Sequence, residues 1–557
     1  MKQWIRSGSP WIWLTGGAVT LSILMVIGLL GLIALRGLSH FWPADVAQVE
    51  IVQPQTGQIE VVLGEVSRSQ TITAVAAREA GNVVPEGEEF ATRFLFKQGN
   101  RDQFGRDFVW HFDTFMGEFN YPEGVYVIER REWGNFYGFP VRLMNSGNVV
   151  AELDSDSDFH DQVQAAVSRS NRLHSDIASI ERGDVGRINS SMERLRLEER
   201  KLELDGVSGE ALETAMARIN AERAELDAAY GALREELDLL YDELSRDTLV
   251  MRMSNGQLAT ISLGHIVAIT MPNDMSVWQK LKEYVHQVWL FLSSEPREAN
   301  TEGGIFPAIF GTVTMVFVMS IMVTPFGVLA AIYLREYAKQ GPVTRMIRIS
   351  VYNLAGVPSI VFGVFGLGFF IYFLGGNIDR IFFEAALPSP TYGTPGLFWA
   401  SLTLALLTLP VVIVSTEEGL SRIPSTIRQG SLALGATKSE TLWRVVVPLA
   451  TPGMMTGLIL AIARAAGEVA PLMLVGVVKL APTLPIDGEF PFIHLERKIM
   501  HLGFHIFDVG FQSPNVEAAR PLVYATALVL VALIVILNLT AIGIRNRLRE
   551  KYRSESD

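Results

Sequence analysis

Long apolar runs separated by charged segments dominate the chain. No charged residue falls between Arg6 and Arg36, from Gly303 to Leu334, from Ile349 to Ile378, or from Ala385 to Thr416. A fifth run, Val445 to about Val478, is interrupted only by Arg464 and Glu468, and a sixth extends from Pro521 to Ile544. Crossing the hydrocarbon core takes about 20 mostly apolar residues, so each run predicts a transmembrane helix. A soluble core does not need six such stretches. The first run is too long for a cleaved signal peptide.

Between the first and second runs the pattern changes. Residues 40–301 form a hydrophilic insert that opens with short alternating stretches, among them Val49 to Val52, Gln58 to Val62 and Gly124 to Ile128. Such alternation predicts strands. Two hairpins are legible: Val141 to Met144 returns as Val149-Val150 across Asn145-Ser146-Gly147-Asn148, and Val250 to Met253 returns as Leu258 to Ile261 across Ser254-Asn255-Gly256-Gln257. From about 160 to 248 the period becomes helical. Leu212, Met216, Ile219, Leu226, Tyr230, Leu233, Leu237, Leu240 and Leu244 trace a heptad seam, broken in step only at Arg223. The preceding stretch, Leu173, Ile177, Ile180, Ile188, Met192, Leu195 and Leu202, is interrupted near Gly183 to Gly186, and Asp205 to Gly209 is a turn. The expectation is an α+β insert with a projecting coiled-coil hairpin, a packing arm or a docking site. The layout is thus a tail and first span (1–39), the insert (40–301) and a core with five further spans (302–557).

Charge sets an orientation. Lys and Arg near span ends favour the cytoplasmic side. They cluster in the N-terminal tail (Lys2, Arg6), after the second run (Arg335, Lys339, Arg345, Arg348), after the fourth (Arg422, Arg428, Lys438, Arg444), and in the C-terminal tail from Arg545 to Arg553. Six spans with both termini cytoplasmic and the insert outside satisfy all four clusters. The net charge of −12 belongs largely to the hairpin segment, where residues 160–248 carry 20 acidic against 12 basic side chains, so it signals no nucleic-acid partner. With no cysteine in the chain, disulfides and zinc–thiolate sites are excluded.

Chemistry concentrates in the last third. Between the fourth and fifth runs, Gln429-Gly430-Ser431-Leu432-Ala433-Leu434-Gly435-Ala436 carries small residues at 430, 431, 433, 435 and 436, which let a short helical element approach another protein closely. Gly435 permits a sharp turn, and Pro448 suits the opening turn of the next helix. A stiff connector of this kind can carry a partner's motion to the spans. The segment 429–448 resembles the EAA loop of bacterial ABC importer permeases: the Gly matches at Gly435, the Ile and Leu positions hold Val445 and Val447, and the Pro matches at Pro448. Its opening triplet departs, reading Gln429-Gly430-Ser431, which puts in doubt an ionic contact made there. Two further stretches, Asn353 to Gly363 and Ala463 to Leu472, resemble the PstA-type phosphate importer permease, as do the entry to the second span and the basic C-terminal tail. The resemblance covers about Gly303 to Lys551 and implies a type I permease fold. The insert resembles the N-terminal extension of some Gram-negative members. The resemblance also implies four kinds of partner in a bacterial inner membrane: a homologous permease, a cytoplasmic ATPase dimer that holds ATP and Mg, a periplasmic phosphate-binding protein, and lipid.

Arg464 and Glu468 have meaning of their own. An Arg at the centre of a spanning helix costs about 2.5–3.5 kcal/mol on insertion scales, so it faces a partner or a polar pathway. Spacing of four puts Glu468 on its face. Guanidinium is a bidentate partner for phosphate oxygens, and the carboxylate can accept a hydrogen bond from a protonated oxyanion. The competing reading is a structural ion pair. His494, His501 and His505 lack a clearly placed acidic ligand and predict no metal site. Lys438-Ser439 lacks the Gly that a phosphate-binding loop needs before its Lys, so neither catalysis nor a bound cofactor is expected of this chain. Two other functions remain open on sequence: a permease for sulfate or molybdate, and a membrane-anchored scaffold worked by the hairpin.

Overall fold

The computed structural model describes residues 9–554 except 54–55, 80–82, 85–86 and 514–515; Lys2 and Arg6 of the basic N-terminal tail lie outside the described residues. Two compact units emerge, one of residues 1–40, 293–295 and 305–557, the other of 41–292 and 296–304.

In the first unit, among the described residues, six helices are long and apolar enough to cross a membrane: Trp11–Ser39, Phe306–Tyr337, Ser359–Phe382, Leu397–Ser421, Lys438–Gly467 and Ala519–Glu550. The fourth is the most enclosed, with Trp399, Ala400, Leu404, Leu407 and Val412 buried against the second and fifth spans. Small residues make that closeness possible. A Cβ on Gly453 of the fifth span would lie 2.7 Å from Gly419 Cα of the fourth, so the two backbones touch there. The first span meets the sixth near its end, where Arg36 lies over the Tyr524 ring at 5.4 Å; its remaining length is exposed.

Three boundaries differ from the apolar runs. The third run begins inside a separate helix, Pro342–Leu354; the chain then turns at Pro358, and the span starts at Ser359. Pro358 has no N–H to continue a ladder, so the turn is local chemistry that hydropathy does not register. The middle of this span, Gly366–Gly375, is π-helical. The fifth run is not one helix to Val478: the helix ends at Gly467, with Glu468 already extended. At its other end it begins earlier than Pro448. Lys438–Thr441 and a π-turn over Leu442–Val446 precede the helix Val447–Gly467, and Pro448 lies in that helix's first turn as expected. The π-turn closes with Val447 N donating to Leu442 O.

The second unit is α+β. β1 (Val46–Val52), β2 (Ile59–Thr73), β3 (Phe90–Lys97) and β4 (Phe108–Phe112) form an antiparallel meander. A second sheet orders β10 (Ile266–Thr270), β5 (Tyr126–Arg130), β6 (Phe136–Asn145), β8 (Asp247–Arg252) and β9 (Leu258–Ser262), with β7 (Asn148–Glu152) also on β6. Both expected hairpins form. Asn145 pairs with Asn148 around Ser146 and Gly147, both at positive φ, and Arg252 pairs with Leu258. Tyr137 Oη donates to Glu65 Oε1 at 2.8 Å and ties the sheets. Helix Phe159–Ser179 lays Phe159, Val163 and Val167 on the second sheet, over Ile128, Leu249 and Met251. It does not stop at the Gly183–Gly186 interruption. A π-turn, Ile180–Asp184, takes up the extra residue and leads into Val185–Leu204. After the turn at Gly206 and Gly209, Glu210–Ser245 returns antiparallel, held by Arg218 to Glu198, Arg223 to Glu199 at 2.7 Å and Tyr241 to Glu181 at 2.6 Å. Ile219 and Leu244 of the seam are buried, while Tyr230 is exposed.

Candidate functional site

The fifth span has a differently built site at each end. At the first, helix Ser425–Ala433 closes at Leu434, and Gly435 turns the chain with φ of 89°. A side chain with a Cβ disfavours that region, which is why glycine stands there. Thr437 then opens the next helix with a capping box: its hydroxyl accepts from Glu440 N, and the Glu440 carboxylate accepts from Thr437 N. Thr437 thus stands beside Lys438 as a helix cap. Ser431 Oγ lies 2.9 Å from Thr441 Oγ1 and bridges the two short helices.

The same loop is latched to the end of the second span. Arg428 donates to Glu336 Oε1 at 2.9 Å, to Leu420 O at 2.8 Å and to Ile423 O at 2.9 Å. From the far side of Gly435, Lys438 Nζ donates to Glu336 O at 2.5 Å and sits 4.8 Å over the Tyr337 ring. Arg348 adds a neighbouring tie, reaching Glu417 at 3.2 Å and Leu334 O at 3.1 Å. Gln429, Gly430, Ala433 and Gly435 of the expected docking residues are exposed, whereas Ser431, Ala436 and Pro448 are half-buried. Sequence reasoning missed the tip itself. Leu434 is 91% exposed, with Leu432 and Trp443 also outside. Leu432 and Leu434, two leucines in an otherwise small and polar connector, were the available signal.

At the opposite end, Arg464 occupies the last turn of the helix rather than the centre of a longer one, because Gly467 and Pro471 terminate it. Glu468 is the residue after the helix, yet still pairs with Arg464, Nε to Oε1 at 3.4 Å. Both side chains are half-buried. Among the described residues the Arg464 guanidinium has no hydrogen bond, and its side chain is 35% exposed. The two stretches singled out in the sequence meet here: a Cβ on Gly363 would stand 2.7 Å from Pro471 Cα, so the third span runs directly against the segment that ends the fifth. Nothing local in either stretch announces that contact.

The loop between the fifth and sixth spans holds the three histidines apart in role. His494 lies between Asp487 at 2.9 Å and Glu496 at 3.2 Å, acidic neighbours that the spacing did not disclose. His501 is fully buried and its Nδ1 accepts from Gly503 N at 3.1 Å. Burial pushes both the His501 and the His505 imidazole down to about 4.

A helical bundle with a protruding, latched loop is the architecture of a transporter's membrane subunit. Residues 323–553 match the family described as binding-protein-dependent transport system inner membrane component. The chain belongs to that family, and within it to the PstA-type permeases. The phosphate transport system permease protein PstA of Yersinia pestis is 30% identical over 252 residues, covering 45% of this chain and 76% of that protein. The PstA of Mycobacterium leprae is 42% identical over 175 residues, 31% of this chain and 52% of that protein. The chain therefore spans about half the length of its mycobacterial relatives. Among solved structures, the MetNI methionine ABC transporter in an inward-facing conformation is similar at 17% identity and a TM-score of 0.33, covering 47% of this chain and 98% of that one.

Proposed function

We propose that this chain is one membrane-spanning subunit of an ATP-driven importer of inorganic phosphate. The printed function of the PstA relatives suggests the substrate. The observation that carries it to this chain is the half-buried Arg464 guanidinium, without a hydrogen bond among the described residues, at the end of a span and beside a carboxylate. A planar cation with a free fork takes a tetrahedral oxyanion through two parallel hydrogen bonds. Glu468 favours an anion that still bears a proton, which phosphate does near neutral pH and sulfate does not. A purely structural ion pair would close on the fork through hydrogen bonds, whereas this one is 3.4 Å long and no hydrogen bond to the guanidinium is found among the described residues.

In this reading the 429–448 loop lies on the cytoplasmic side and docks on a separate ATPase dimer that holds ATP and Mg, with Leu434 entering its cleft. Both termini share that side, and the insert faces the periplasm. A homologous permease completes the pathway, and a binding protein delivers the anion. Closure of the ATPases moves the latched loop together with the end of the second span, so the helices alternate access around Arg464. The chain itself catalyses no reaction. Whole-cell uptake of labelled phosphate tests this, with sulfate as competitor. Arg464→Ala should abolish uptake while the assembled complex still purifies intact. Retained phosphate uptake, or sulfate transported in its place, would overturn the reading.

A further inference from the structure

The helix Val277–Ser293 precedes the second span and carries the largest aromatic exposure in the insert. At 100° per residue its apolar side chains, Leu290 apart, occupy one broad arc. One edge of that arc is covered by protein: Tyr284 packs on Phe41 and Trp42 with ring centroids 6.5 and 6.1 Å apart, and Phe291 is buried against Phe41 at 5.0 Å. The other edge, Trp278, Leu281 and Val285, is exposed, with Trp278 at 80% and Val285 at 60%. Trp289 lies on the same edge. The opposite face is polar: Gln279, Lys282, Glu283, His286 and Gln287.

We propose that this edge lies in the lipid interface of the leaflet on the insert's side, with the helix flat on the membrane. Three observations choose lipid over another protein. The rings covering its inner edge belong to residues 41 and 42, immediately after the first spanning helix ends at Ser39. The chain leaving its other end is tied to the second span at once, Phe306 N donating to Ser294 O at 3.1 Å. The middle and the C-terminal end of the helix are thus joined within a few residues to helices long and apolar enough to cross the bilayer. Finally, Trp278 and Trp289 stand where the apolar arc meets Lys282. That boundary is where indole rings and lysine amines sit at the level of lipid headgroups.

The helix then holds its own segment of the chain at the membrane surface whichever anion the permease carries. The absence of cysteine makes the test direct. Val285→Cys and His286→Cys, each spin-labelled in the full chain extracted with its native lipid and partners into polymer-bounded discs, place probes on adjacent residues of opposite faces. Collision with oxygen, which concentrates in lipid, should exceed collision with a water-soluble nickel chelate at 285, and the order should reverse at 286. Equal nickel access at both positions would overturn the proposal, because the edge would be in water. Shielding of 285 from both reagents would overturn it too, because protein would cover the edge.

Discussion

The two ends of the fifth span share a helix and little else. Where it begins, Thr437 and Glu440 cap it reciprocally, and Arg428 and Lys438 grip the last turn of the second span through charge-assisted bonds. Where it ends, the polar contact is one ion pair at 3.4 Å, and position is set by apolar contact between Gly363 and Pro471. In the proposed importer the first arrangement would transmit force, because a loop bonded at both flanks cannot slide relative to its neighbour. The second would leave charge available, because a guanidinium whose every donor was engaged could not exchange one partner for a passing anion. Under that proposal the span works as a lever, rigid at the driving end and open at the other.

Removing the packing that positions the open end should have the largest effect. Gly363→Leu drives a side chain into Pro471, and such overpacking costs about 1–3 kcal/mol or more where backbone blocks relief. The expected result is loss of both uptake and thermal stability of the complex, whereas Gly368→Leu, with open space around it, should leave both near normal. Equal tolerance at 363 and 368 would mean that the Gly363–Pro471 contact does not hold the site.

Weakening the latch should separate the two ends instead. Arg428→Ala strips a donor from Glu336 and from the Leu420 and Ile423 carbonyls; a bond to a charged partner contributes about 1.5–3 kcal/mol. ATP hydrolysis by the assembled complex should continue while phosphate carried per ATP falls several-fold, and Arg428→Lys should recover part of it. A parallel fall in both rates would show that the latch supports assembly rather than coupling.

Much of the frame was legible in the sequence, and the reason is local. A charge-free run long enough to span is its own signal, as are Asn145-Ser146-Gly147-Asn148 at a hairpin and Gly435 at a turn. The π-turns over Leu442–Val446 and Ile180–Asp184 were not legible, because one extra residue per turn leaves hydropathy unchanged. The latch and the packing of the open end were hidden for another reason. Arg428 and Glu336 are 92 residues apart, and Gly363 and Pro471 farther, so each pair is brought together only by helix packing. The position of Arg464 was misread in between: its residue type was visible, but the helix end at Gly467 moved it from mid-span to the final turn.

The loop beside the open end adds a pH dependence. His501 and His505 are held neutral by burial, with pKa values near 4, whereas an unfolded histidine titrates near 6.5. The unfolded chain therefore binds more protons in that window, and stability falls as pH drops from about 6.5 toward 4. His501→Gln should lessen the fall in melting temperature between pH 7 and pH 4.5. An unchanged slope would remove His501 from the account.

The smallest expected effect comes from the capped end and tests whether the latch depends on it. Thr437→Ala deletes the hydroxyl that accepts from Glu440 N, and losing such a cap costs about 1 kcal/mol. Because Lys438 follows immediately and its amine reaches Glu336 O, a frayed first turn lets that amine swing away while Arg428 stays bonded. Thr437→Ala should therefore lower coupling less than Arg428→Ala, and Thr437→Ser, which keeps the acceptor, should behave as wild type. If Thr437→Ala uncouples transport as strongly as Arg428→Ala, the two flanks of the loop act as one unit, and the lever turns on the cap as much as on the ion pair.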